Sequence, residues 1–133
     1  MSAVRGGDDD DDVTPGSLRL SKGVWLFAPD GVDVLLRVQP SPAPAVEGFL
    51  SQAVKGRLLV HGHLVDDAAA GDPVRPRTGV PALLVGTVRA ATDDAIVLHA
   101  GVAFVVQGAG AAAAGSAVAV AVDVDRGVAL ELR

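Results

Sequence analysis

The stretch GVWLFAPDGVDVLLRV, Gly23 to Val38, reads as two strands joined by a turn. Before the turn, LRLSKGVWLFA is apolar or alternating, as a half-buried strand is. At Pro29-Asp30-Gly31, Pro presets φ and Gly admits a positive φ. After it, Val32, Val34, Leu36 and Val38 fall on one face at period two. That pattern predicts an antiparallel hairpin and sets the class of the fold as β.

Working outward, the same grammar recurs. KGRLLVHGHLV, VPALLVGTV, AVAVAVDV and VALELR read as strands, and AIVLHAGVAFVVQ as two strands or one bent at Gly101. DDAAAGDPVRPRTG and GAGAAAAGS read as loops, and ATDD and DRG as turns. Only PAVEGFLSQAV offers a helical face, through Val46, Phe49, Leu50 and Ala53, with Gly48 weakening it. The expectation is an all-β chain with at most one short helix: a small antiparallel β-barrel or sandwich of seven to eight strands. Its expected core is Val24, Leu26, Val34, Leu36, Leu58, Val60, Leu64, Leu84, Val97, Val105, Val120, Val122 and Leu130.

The 133 residues suit one domain. Residues 1–17 read as a flexible acidic arm, because Gly, Ser, Pro and five consecutive Asp bury too little to offset the entropy of ordering. Residues 18–133 then form the single β-domain. Half the residues are hydrophobic, but only Trp25, Phe27, Phe49 and Phe104 are aromatic, so Ala, Val and Leu build the interior. The net charge of −5 is matched by the run Asp8, Asp9, Asp10, Asp11 and Asp12. A near-neutral domain without a basic stripe argues against nucleic-acid binding. With no cysteine there is neither a disulfide framework nor thiolate chemistry. No apolar run approaches the roughly 20 residues of a membrane helix, nor does the N-terminus read as a signal peptide.

Few residues carry chemistry. His61 and His63 lie two apart, on one side of a strand, where both imidazoles reach a single ion. This His-x-His resembles that of the cupins, which would add His99 as a third ligand and a carboxylate near Asp66 or Asp67. Asp67 stands where cupins place Glu, and the stretch around His99 lacks their Pro-x-Gly. The phase of the strand sets both histidines opposite Leu58, Val60 and Leu64, on the solvent side, so a surface pair and no cofactor are expected. Gly108 to Ser116 lacks the Lys-Ser/Thr pair of a phosphate loop. Arg75, Arg77 and Arg89 are candidates for a small anion site, with a solvated loop as the simpler reading. No serine pairs with a histidine, and the paired carboxylates sit at turns, where Asp bonds the backbone. The expectation is a protein that is not an enzyme.

One phrase occurs twice. AAAGDPV, Ala68 to Val74, returns as AAAGSAV, Ala112 to Val118. Each copy runs small residues, a Gly and then a strand, as duplicated β-units packed side by side would. With Val85 to Val88, Ile96 to Val106 and the terminal strands, this pattern resembles the small β-rich decoration, or head-stabilising, proteins of tailed bacteriophages. The resemblance covers residues 56–133. It implies a non-enzymatic protein on the outer surface of the virion, made in the host cytoplasm, bound to the major capsid protein and commonly trimeric. The Asp8–Asp12 arm, Val120 and Val122 are the expected interface residues, the valines within a trimer contact along 80–88 and 117–124. Two other classes compete: an OB-like module stacking bases or sugars on Trp25 and Phe27, which share a strand face, and the cupin-like metal protein.

Overall fold

A computed structural model describes residues 13–42, 44, 51–65, 73–110 and 112–132. Among these there is no helix, and the strands are β1 (Thr14–Ser21), β2 (Val24–Pro29), β3 (Leu35–Ser41), β4 (Ser51–Val65), β5 (Val74–Arg75), β6 (Thr78–Gly79), β7 (Leu83–Ala91), β8 (Ala95–Ala100), β9 (Val102–Gln107), β10 (Ala117–Val122) and β11 (Val128–Leu132). The chain is all-β, as its alternation and turn chemistry predict.

The strand count and pairing differ from the expectation. All eleven strands join one sheet, and no single closed barrel of seven or eight strands is formed. The sheet is also mixed: β11 runs parallel to β3, β9 to β4 and β6 to β3. The cause is β4, whose 15 residues extend about 50 Å at roughly 3.3 Å each, longer than one small unit needs. Both of its edges are used. Gly56 faces Thr14 of β1 on one side and Leu132 of β11 on the other. Leu58 faces Phe104 of β9 and Leu130 of β11. Pairing therefore leaves β4 and returns to it twice, once through β11, β3, β2 and β1, and once through β10, β7, β8 and β9.

The boundary of the arm also moves. Thr14 to Ser17 already pair with Gly56 to Ala53, so the last four residues of the expected arm are strand. Thr14 is 4% exposed, and its Oγ1 donates to the Ala103 carbonyl at 3.5 Å, tying the start of β1 to β9. Asp8 to Asp12 lie outside the described residues. The expected single strand before Pro29 is a hairpin, because Lys22 and Gly23 both take positive φ and turn β1 into β2. Of the expected helix, Ser51 to Val54 belong to β4 and residues 45–50 lie outside the described set.

The core is one cluster, built on Leu18, Phe27, Leu36, Leu58, Leu84, Ile96, Leu98, Phe104 and Leu130. Seven of its residues agree with the sequence reading: Leu36, Leu58, Val60, Leu84, Val120, Val122 and Leu130. Three faces are inverted. In β2 the buried residue is Phe27, and Val24 and Leu26 are half-buried. In β8 the core takes Ile96 and Leu98 rather than Val97. In β9 it takes Phe104 and Val106 rather than Val105. These runs are apolar without alternation, so period alone does not choose a face. Pairing chooses it: Phe104 faces Leu58, which its own strand's alternation turns inward. Val34 and Leu64 are half-buried at the margin of the cluster.

Candidate functional site

The inverted faces create a surface. Residues directly opposite each other in neighbouring strands point to the same side of a sheet. Ala129 faces Leu59, Leu59 faces Val105, Val105 faces Val97, and Val97 faces Ala90. Ala129, Leu59, Val105 and Val97 each alternate with buried neighbours and Ala90 is itself exposed, so this row lies on the outer face. It crosses β11, β4, β9, β8 and β7, a width of about 19 Å at roughly 4.8 Å per strand. Leu59, Val97 and Val105 are half-buried.

Relief and charge frame the row. Two hollows, of about 370 and 320 Å3, adjoin on this face and share Leu59 and Gln107. On one rim Arg57 pairs with Glu131 at 3.5 Å. On the other rim lie His61 and Gln107, opposite each other in β4 and β9. Nη1 of Arg126 stands 3.4 Å from both ring nitrogens of His61. Equal distances place the guanidinium over the ring face, since an in-plane donor would approach one nitrogen. Arg126 also pairs with Asp123 at 3.5 Å, within a turn closed by the Gly127 N–H donating to the Val124 carbonyl at 3.1 Å. An apolar strip with paired charges at both rims has the make-up of a protein contact surface.

The expected site residues fare differently. His61 and His63 do share the outer face, the first half-buried and the second exposed. His99 does not join them. It faces Ala103 of β9, whereas His61 faces Gln107, four residues or about 13 Å further along that strand. Ligands to one ion need nitrogens about 2 Å from it, so the set His61, His63 and His99 does not converge. Among the described residues no group of three metal-ligating side chains occurs, and Asp66 and Asp67 lie outside them. Arg77 pairs with Asp33 at 3.4 Å beside a cleft of about 170 Å3 lined by Val32, Val34, Val74 and Val102. Arg89 sits at an irregularity of β7, where pairing shifts between Val88 and Ala90.

Val120 and Val122, expected at a subunit interface, are 0% and 8% exposed and belong to the core. Leu84, which faces Val120 in β10 and Val74 in β5, belongs to the same core. The Trp25–Phe27 stacking platform is also corrected, because Phe27 is fully enclosed. Trp25 is half-buried and borders a groove of about 470 Å3 with Arg37, Gln39, Val124 and Arg126.

The doubled phrase has a simple structural meaning. Its two copies lead into β5 and β10, and both strands face Leu84, from opposite edges of β7. On the first side the Val85 N–H donates to the Pro73 carbonyl at 2.8 Å. On the second, Gly115 at φ +92 donates its N–H to the Val88 carbonyl at 2.7 Å, and the Val88 N–H donates to the Ser116 carbonyl at 2.9 Å. Residues 68–72 of the first copy lie outside the described set. The row of Leu59, Val105 and Val97 was missed in the sequence because two of the three were assigned to the core. The available signal was that AIVLHA and VAFVVQ carry apolar residues on both faces. No protein-family model, curated protein or solved structure matches this chain.

Proposed function

We propose that this chain is a non-enzymatic structural protein that binds the outer surface of a viral capsid and stabilises it. The major capsid protein is its partner, the virion exterior its location, and it acts as a homo-oligomer. One observation carries the reading. The strands that follow the two copies of the doubled phrase, β5 and β10, flank β7, so part of the region that resembles phage decoration proteins packs around one strand. The finer architecture proposed with it is a pair of small barrel-like circuits sharing β4. Support comes from the returns of pairing to that strand.

The test is co-sedimentation with purified tailed-phage heads assembled from their major capsid protein. Saturable binding and a higher temperature of head disruption are expected. A chain that stays in the supernatant at every ratio overturns the reading. The groove beside Trp25 favours a second reading, a module that binds a small anionic ring compound between Trp25, Arg37 and Arg126. Titration of the Trp25 fluorescence with a nucleoside monophosphate separates the two. An unchanged signal at low salt removes the second.

A further inference from the structure

We propose that the groove beside Trp25, with the strand face next to it, binds a single strand of nucleic acid. The site is the groove of the second reading above, on which this rests, with the ligand extended from one anionic ring to a chain of them. Strand register builds there a cationic face that composition does not reveal. Arg19 of β1 faces Leu26 of β2, and Leu26 faces Arg37 of β3, so all three point to one side of the sheet. Arg19 and Arg37 are exposed, with half-buried Leu26 between them. Two strand spacings of roughly 4.8 Å set them about 10 Å apart. Lys22, at φ +52 in the turn from β1 to β2, is a third exposed cation at the end of the same hairpin. Arg57, Arg77 and Arg126 each hold a carboxylate at 3.4–3.5 Å. Among the described residues no such partner meets Arg19, Lys22 or Arg37.

Arg37 also lines the groove of about 470 Å3. Gly23 and Trp25 form one side of it, Arg37 and Gln39 its middle, and the turn before β11, with Arg126, the other side. The carboxylate that lines it, Asp125, stands in that turn, across β3 from Arg19 and Lys22. Pairing runs from β1 to β2, β3, β11, β4 and back to β1, with only β3 and β11 parallel. That is the connectivity of an OB-like module, whose ligands lie on the second and third strands, between the first turn and the turn before the last strand. Fold supplies only the place, and the residues supply the chemistry. Unpaired cations attract a polyanion, and a groove walled by an indole takes the flat face of a base. Only an unstacked strand offers that face together with its phosphates.

The test is the anisotropy of a labelled oligothymidylate of about eight nucleotides, titrated with the full chain at about 20 mM salt. Saturable binding at micromolar concentrations is expected. Its logarithm should fall against that of salt with a slope of about −2, since three neutralised phosphates contribute roughly −0.7 each. Arg19→Glu and Arg37→Glu, both at exposed positions, are each expected to weaken binding at least about tenfold and to flatten the slope. Trp25→Leu is expected to cost at least about fivefold. If that variant does not fold, quenching of Trp25 fluorescence in the unaltered chain by unlabelled oligothymidylate reads the same contact. An oligothymidylate that stays free at about 500 µM protein overturns the proposal, as do folded variants that bind undiminished. Equal binding of a hairpin duplex or of polyglutamate overturns it too. Thymidine monophosphate separates the strand from the reading beneath it. Quenching by the monophosphate with no tighter binding of the oligothymidylate defeats the strand alone, and no response to either defeats the groove reading as well.

Discussion

Gly86 shows how tightly single residues are held. A Cβ at this position would run into the His99 carbonyl oxygen and lie 2.7 Å from its carbon and 3.0 Å from the Ala100 Cα. These are backbone atoms of the paired strand, so relief requires β7 and β8 to separate. Gly86→Ala is expected to destabilise the fold by roughly 1–3 kcal/mol in chemical denaturation, the usual cost of overpacking. Leu84 makes the opposite case. It is completely buried between the strands of the doubled phrase. Leu84→Ala leaves a cavity at that junction and is expected to cost roughly 2–5 kcal/mol. A loss below about 0.5 kcal/mol would mean that Leu84 does not bear on the core at all.

At the scale of the element, adjacent residues of β8 have opposite fates. Ile96 is 1% exposed, and Val97 lies half-buried on the outer row. Ile96→Asp places an unpaired carboxylate in an apolar interior and is expected to abolish folding. Val97→Asp is expected to leave a folded chain, read by the same near-native strand signal in circular dichroism. Equal damage from both would place Val97 in the core after all. In β10, Val120→Asp belongs with Ile96→Asp: an unfolded chain is expected, not a folded monomer. The sequence made these elements legible where polar residues alternate with apolar ones. LLVHGHLV declares its inner face, since His61 and His63 mark the outer one. Runs such as VAFVVQ carry no such mark. Their face is fixed only when Phe104 meets Leu58 across the parallel ladder.

For the whole molecule, the prediction concerns where the domain begins. Removing residues 1–12 keeps every pairing of β1, which starts at Thr14. The thermal midpoint is expected to stay within a few degrees. Removing residues 1–17 deletes the pairs from Thr14 to Ser17 and the hydrogen bond to Ala103. The midpoint should then fall by more than about 4 °C, the shift that roughly 1 kcal/mol produces in a domain of this size. Equal midpoints for the two truncations would mean that β1 contributes nothing through its first four residues.

Much of this molecule follows from its sequence alone. The β class, most turns and the inward phase of β4 are written in local alternation and in Gly and Pro placement. Those are short-range properties, set by backbone sterics and by the two-residue period of a strand. Other features belong to the tertiary structure. The double use of β4, the parallel ladders and the outer row of Leu59, Val105 and Val97 join residues far apart in the chain. Each depends on which strand edge is occupied and at what register. A shift of one residue would exchange inner and outer faces, and no local pattern in a continuously apolar run opposes that exchange.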